Sequence, residues 1–215
     1  MATLAELKTR IQTEVNRDDL EDDLATILQQ HIEAACEFFA DEKFWFNSIV
    51  TTAATTPSTV TMTIPATVRR IERLTIPAQY TELREAVLPE FEQLDGGETG
   101  APCVYAYYND QIRLWPTPDA AYTLQFTGLA QVDAPETASE TNIWTVQAFD
   151  LIVSRVKMTL ARDVFRDPDG VTLYGAATAE ILRRAKRETA RRLETPLRSR
   201  PDGLGRGSSF NINYG

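Results

Sequence analysis

The hydrophobic period of this chain changes twice, and that double switch limits what it can fold into. From Leu4 to Phe46 the apolar residues recur every three or four positions, from Ser48 to Leu129 they alternate, and from Thr145 to Leu193 the longer spacing returns. A 3.6-residue period needs a helix that lays one stripe on a neighbour, whereas a two-residue period needs a strand with one buried face. The chain is therefore predicted to be α+β. It reads as a bundle of about four helices with an inserted antiparallel β-rich lobe and an extended C-terminal tail. The corresponding boundaries are 1–47 for an N-terminal helical pair, 48–135 for the β-rich lobe, 136–200 for a C-terminal helical pair and 201–215 for the arm.

Leu4, Leu7, Ile11 and Val15 mark the first helix. Asn16-Arg17-Asp18 interrupts it, and Asp18 or Asp19 can cap the next. That second helix is expected from Asp19 to about Phe46, burying Leu20, Leu24, Ile27, Leu28, Ile32, Ala35 and Phe39, with a length of roughly 40 Å. The two helices are expected to form an antiparallel pair. Beyond Asn47 the composition shifts to threonine, serine and valine, with a turn near Thr56-Pro57-Ser58. Strands are predicted at Thr59–Ile64, Arg70–Ile76, Tyr80–Arg84, Val104–Tyr108, Ile112–Trp115 and Tyr122–Leu129, with a short helix over Leu88–Leu94. Val146, Phe149, Ile152, Val153, Val156, Leu160 and Val164 form the third helical stripe, capped by Thr141 or Asn142 and ended by Asp167-Pro168-Asp169-Gly170. A last, more polar helix is expected from about Leu173 to Leu193, and Pro196 and Pro201 stop further regular helix. The closing stretch from Gly203 to Gly215 has too little apolar content to fold alone. Its Phe210, Ile212 and Tyr214 alternate, as in a strand added to another sheet's edge.

Charge is distributed unevenly. Residues 1–50 carry 4 basic and 11 acidic side chains, residues 51–135 carry 5 and 10, and residues 136–215 carry 13 and 10, within a net charge of −9. One acidic end and one basic end suit stacking of subunits and argue against coating nucleic acid. No stretch is apolar enough to span a membrane, and Met1-Ala2-Thr3-Leu4-Ala5-Glu6 does not read as a signal peptide, so a soluble protein that stays where it is made is expected. Cys36 and Cys103 lack metal-ligand spacing and are expected as buried free thiols, as a reducing cytoplasm permits.

No catalytic, cofactor or metal site is legible. His31 is the single histidine, on a helix, and is expected to be partly exposed there; nucleotide-binding glycine motifs with the required strand and helix are missing. The acids Asp18, Asp19, Glu21, Asp22 and Asp23 could form a docking patch or a cation site, or simply favour a helix N-terminus electrostatically. Asp163 to Gly170 lacks the ligand series of a calcium loop and reads as a helix-ending turn. On the last helix Arg183, Arg187 and Arg191 share one face, with Arg184 and Arg192 beside it. They could contact DNA phosphates or an acidic partner; the other reading is a solvated face laced by Glu180–Arg184 and Glu188–Arg192 pairs. Phe44-Trp45-Phe46 is expected in the core or at a subunit contact, and Tyr105, Tyr107, Tyr108 and Trp115 in sheet packing.

One run is specific: Tyr107-Tyr108-Asn109-Asp110-Gln111-Ile112-Arg113-Leu114-Trp115-Pro116-Thr117-Pro118-Asp119, then the strand Tyr122–Leu129, an acid-rich loop and a helix. With two helices before it and two after, this order resembles the head-to-tail adaptor (connector) proteins of tailed bacteriophages. The resemblance implies a structural virion protein of the neck, assembled in the host cytoplasm, and not an enzyme. It implies a homo-oligomeric ring, expected as a dodecamer, between the portal protein and the tail or nozzle, with DNA passing non-specifically through its channel and no membrane or cofactor involved. By the same analogy Leu204, Phe210, Asn211, Ile212, Asn213 and Tyr214 belong to a portal-binding arm, and Arg183, Arg184, Arg187, Arg191 and Arg192 face the lumen or a partner. A tail terminator or other minor tail protein is the alternative within the same particle; an enzyme or nucleic-acid-binding module is the alternative outside it.

Overall fold

A computed structural model describes residues 2–15, 24–94 and 96–193. Its elements in chain order are α1 (Leu4–Val15), α2 (Leu24–Ala40), β1 (Ser48–Ala54), β2 (Thr61–Thr63), β3 (Val68–Ile76), β4 (Thr81–Glu82), β5 (Arg84–Glu85), α3 (Leu88–Phe91), β6 (Thr99–Gly100), β7 (Val104–Tyr108), β8 (Gln111–Trp115), β9 (Thr117–Pro118), β10 (Thr123–Ala130), α4 (Ile143–Val146), α5 (Phe149–Asp163) and α6 (Pro168–Leu193). The fold is mixed α+β, as the two changes of period predict. The acidic cluster Asp18, Asp19, Glu21, Asp22 and Asp23, the expected caps there, Leu20, and the whole C-terminal arm lie outside the described residues.

The helices share one core. Leu4, Leu7 and Ile11 of α1, Leu28, Ile32 and Phe39 of α2, and Leu151, Ile152, Val156 and Leu160 of α5 are buried together with Trp144. Each such aliphatic side chain contributes about 1.5–3 kcal/mol by leaving water. Both N-terminal helices lay their apolar faces on α5, and α6 runs back along it, so α5 is the common centre.

A second core lies between two four-stranded sheets, ordered β1-β10-β3-β4 and β2-β8-β7-β5. Ile71, Leu74 and Ile76 of β3 and Leu124 and Phe126 of β10 meet Tyr105, Ile112 and Leu114 of the other sheet. Alternation of buried and exposed residues along β8 and β10 matches the sequence pattern. The chain crosses from one sheet to the other at Leu83, which is buried between β4 and β5. β7 and β8 are joined by Asn109-Asp110, with Asn109 at φ 55°, a left-handed conformation that asparagine tolerates. The Trp115–Pro116 peptide is cis.

Several expected boundaries move, each for a local reason. α2 stops at Ala40 rather than near Phe46, because Asn47 organises a turn in place of another helical turn. Its buried Oδ1 accepts from Phe44 N (2.8 Å), and its Nδ2 donates to Glu42 O (2.8 Å). The stripe expected to start at Thr145 is split into α4 and α5, with Ala148 outside helical geometry. The Asn142 cap is present, as a full capping box with Thr145. α5 ends at Asp163, and α6 begins at Pro168 rather than Leu173: proline suits the first helical position, and Asp167 Oδ1 accepts the Asp169 N–H (3.2 Å). The lobe is not wholly antiparallel, since β5 with β7 and β6 with β9 are short parallel pairings. Tyr80 is 98% exposed and precedes β4 instead of starting it. Cys36 is buried as expected, but Cys103 is only half-buried and stands just before β7, where the chain enters the sheet from a loop.

Ion pairs connect the two cores. Arg69 of β3 meets Glu37 (2.6 Å) and Asp41 (2.8 Å) at the end of α2, and Lys43 meets Glu72 (2.6 Å). The two carboxylates raise the Arg69 pKa, and hydrogen bonding from the guanidinium lowers that of Asp41.

Candidate partner interface

The last helix carries the arginines singled out in the sequence, and its own packing divides them. α6 turns Thr178, Ile181, Leu182, Ala185 and Thr189 inward. Thr189 Oγ1 donates to Ala185 O and accepts the Trp45 N–H at 3.1 Å, so the far end of α6 is fastened to the turn after α2. Arg192 then lies over the Trp45 ring with its guanidinium carbon 3.8 Å from the centroid, a cation–π arrangement. Arg192 and Arg191 both bind Glu188, at 2.5 and 2.6 Å, and hold its carboxyl down to about 2. The expected Glu188–Arg192 pair is present, whereas no ion pair joins Glu180 to Arg184.

The remaining arginines differ. Arg183 is exposed and its Nε donates to Ala179 O (3.1 Å). Arg187 is exposed, and among the described residues no carboxylate pairs with either one. Arg184 sits at the rim of a groove of about 560 Å³ between α1, the Trp45-Phe46 turn, α5 and α6. The groove floor is Phe46, Ala148, Ile181 and Ala185. Its wall is charged: Glu14 bridges Lys157 (2.5 Å) and Arg10 (2.6 Å), and those two cations hold its carboxyl below the usual range. The five arginines therefore form no single surface. Arg191 and Arg192 close the end of the helix, while Arg183, Arg184 and Arg187 present charge outward.

A smaller surface surrounds Phe38, which is 53% exposed with the Arg155 guanidinium 3.7 Å from its ring centroid. His31 Nδ1 lies 2.9 Å from Thr159 Oγ1 beside it, and burial lowers the histidine pKa. Phe38–Arg155 and Trp45–Arg192 both escaped sequence reading, because each joins residues more than a hundred positions apart. Phe44 and Phe46 stack in the core at 4.9 Å, as expected. Tyr105 and Tyr107 pack within the lobe, the latter donating its hydroxyl to Ile71 O (3.3 Å), while Tyr108 is 46% exposed. Asp163 ends α5 and Pro168 opens α6, so the turn between them is Val164–Asp167, and Asp169 and Gly170 belong to the first turn of α6 rather than to the loop. Among the described residues no group of three or more His, Cys, Asp or Glu could hold a metal ion, and no helix is long and apolar enough to cross a membrane.

A family model described as SU10 adaptor protein matches residues 2–200. No curated protein matches the chain.

Proposed function

Because the chain belongs to the SU10 adaptor protein family, we propose that it forms a ring between the portal and the tail of a tailed phage, surrounding the DNA channel. Membership makes it a phage structural adaptor, a virion component that contacts other virion proteins, and implies a structural rather than a catalytic role. The observation that carries the proposal is that the family match covers both helical parts and the lobe between them.

The finer assignments are part of this reading. The ring is a dodecamer of identical subunits, assembled in the host cell. Residues 1–47 and 136–200 act as its helical body, a bundle of about four helices, and residues 48–135 as its β-rich lobe. Residues 201–215 are the arm that engages the portal, through Leu204, Phe210, Asn211, Ile212, Asn213 and Tyr214. The outward charge of Arg183, Arg184 and Arg187 supports contact with an acidic partner surface or with DNA phosphates passing the channel, without base recognition.

Native mass spectrometry of the protein alone and after mixing with its cognate portal tests the ring. A monomer that becomes a portal-bound assembly of about twelve copies is the expected result; a monomer that ignores the portal overturns it. Deleting residues 203–215 should leave the fold intact and abolish co-sedimentation with the portal; unchanged binding removes the arm from the interface.

A further inference from the structure

Among the described residues nothing covers the long edge strand of the lobe. β1 pairs with β10 from Ser48↔Leu129 to Ala54↔Thr123 without a register shift. At its two ends Ala130 N donates to Asn47 O (2.8 Å) and Thr55 N donates to Tyr122 O (2.9 Å). Those bonds fix the phase of the ladder. The backbone groups of Ile49, Thr51 and Ala53 point to β10, and those of Val50, Thr52 and Ala54 point away from it. No described residue meets the latter three. Other outer strands of the two large sheets, β2, β4 and β5, are only two or three residues long, which is how proteins ordinarily limit exposed edges. β1 has seven residues, no charge, no proline and no bulge. Its inward row, Ile49, Thr51 and Ala53, is only half-buried at the rim of the lobe core.

We infer that the C-terminal segment Ser209–Tyr214 of the same chain seats on this edge as an added strand. Two observations select that occupant. Among the stretches outside the described residues, Asn16–Asp23 is crowded with acids, whereas Gly207–Gly215 has neither charge nor proline and alternates Phe210, Ile212 and Tyr214. One face of such a strand would continue the row of Ile49, Thr51 and Ala53 with two rings and an isoleucine, and complete the core at the rim. The second observation is where the tail departs. α6 ends at Leu193, next to Arg192 on the Trp45 ring and one turn beyond Thr189 on Trp45 N, and Trp45 is three residues before β1. An antiparallel seat requires residues 194–208 to run the length of β1, about 23 Å. An extended linker of that length reaches roughly 50 Å. The short tether gives the subunit's own tail a high effective concentration at the edge.

Seating the tail hides both a strand edge and the arm until something else takes the arm. This is the arm assigned above to the portal, yet the seat follows from β1 and the tail sequence and is tested on the protein alone. Hydrogen exchange resolved by residue on the full chain is the experiment. Val50, Thr52 and Ala54 amides should exchange at least about tenfold more slowly in the unaltered chain than in the double variant Phe210→Asp, Ile212→Pro. Thr51 and Ala53 amides, bonded to β10, should be unchanged and so report that the sheet is intact. Rapid exchange at the three outward amides of the unaltered chain overturns the inference, as does protection that survives the double change. Protection that grows with protein concentration also overturns it, by assigning the edge to a second copy.

Discussion

Among the described glycines Gly128 leaves the least room for a side chain, and replacing it by alanine gives a quantitative test of the sheet. It lies in β10 where the pairing with β3 shifts, Thr127 opposing Arg73 but Gly128 opposing Ile71, so that Glu72 is the extra residue of a bulge. A methyl at Gly128 would stand 1.9 Å from Arg70 O and 3.1 Å from Glu72 N. Both obstacles are backbone, so no rotamer change relieves them, and β3 must move from β10 between two halves of a packed core. Overpacking of a core costs about 1–3 kcal/mol when side chains can yield, and a backbone obstacle puts Gly128→Ala at or above the top of that range. At about 2–4 °C per kcal/mol, a loss of about 3 kcal/mol lowers Tm by roughly 6–12 °C. Gly175→Ala is the matched control. It lies inside α6, where the new methyl would meet Met158 Sδ at an ordinary 3.6 Å. Removing a helix-interior glycine should stabilise by about 0.5–1 kcal/mol. Thermal and urea unfolding followed by circular dichroism read both. Equal Tm values for Gly128→Ala and the unaltered protein refute the bulge geometry, and a loss in Gly175→Ala refutes the placement of α6 on α5.

Glu14→Gln should cost about 1 kcal/mol at neutral pH, because the carboxylate bridging Lys157 and Arg10 is only partly exposed. The folded-state pKa of Glu14 lies below its unfolded value near 4.5, so that stabilisation is complete above this pH and is lost as the pH falls through the lower folded value; urea titrations showing a pH-independent gap between the two proteins would contradict the bridge. Burial pushes the Cys36 thiol up to about 12, so at pH 8 iodoacetamide should label half-buried Cys103 first and reach Cys36 only on unfolding, and equal labelling rates by peptide mass analysis would disprove the difference. Asn142→Ala removes the acceptor of the Trp144 and Thr145 N–H groups and should destabilise by about 1 kcal/mol in urea, whereas an unchanged midpoint would mean that the capping box is not formed in solution.

The fold was legible where the apolar period was long or the turn chemistry local. Val104–Tyr108 emerged with its ends as read, because Pro102 precedes it and Asn109-Asp110 favours the tight turn it makes here. The helical stripes put Leu4, Leu7 and Ile11 of α1 and Ile152, Val153, Val156 and Leu160 of α5 in the core for the same reason, whereas Val146, read as part of that stripe, is exposed on the separate α4, and Phe149 and Val164 are only half-buried. Boundaries failed where a distant partner decides the local conformation. Phe44-Trp45-Phe46 continues a helical pattern, but burial of Phe44, stacking on Phe46 and the two Asn47 hydrogen bonds favour a corner over another helical turn. Period also cannot count strands into sheets: Leu83 is one alternating residue among several, and only the assembled sandwich makes it a crossing point.

The same distinction governs the candidate interface. Spacing alone puts Arg183, Arg187 and Arg191 on one face, since helix geometry fixes which residues are neighbours. Whether such a face is available to a partner depends on what else bonds to it, and α6 meets Trp45 from 144 positions away in the chain. That contact recruits Arg192, and Glu188 couples Arg191 to it, so the last turn is occupied with holding the helix end down. Alanine at Arg192 should lower stability by about 1 kcal/mol through the lost ring contact. Alanine at Arg183 and Arg187 should leave stability unchanged and weaken only association with an acidic partner, with a salt dependence that the unaltered face possesses and the variant lacks. If the Arg192 substitution and the Arg183 and Arg187 pair affect stability and association alike, the division of the helix into a structural end and an outward-facing middle is wrong.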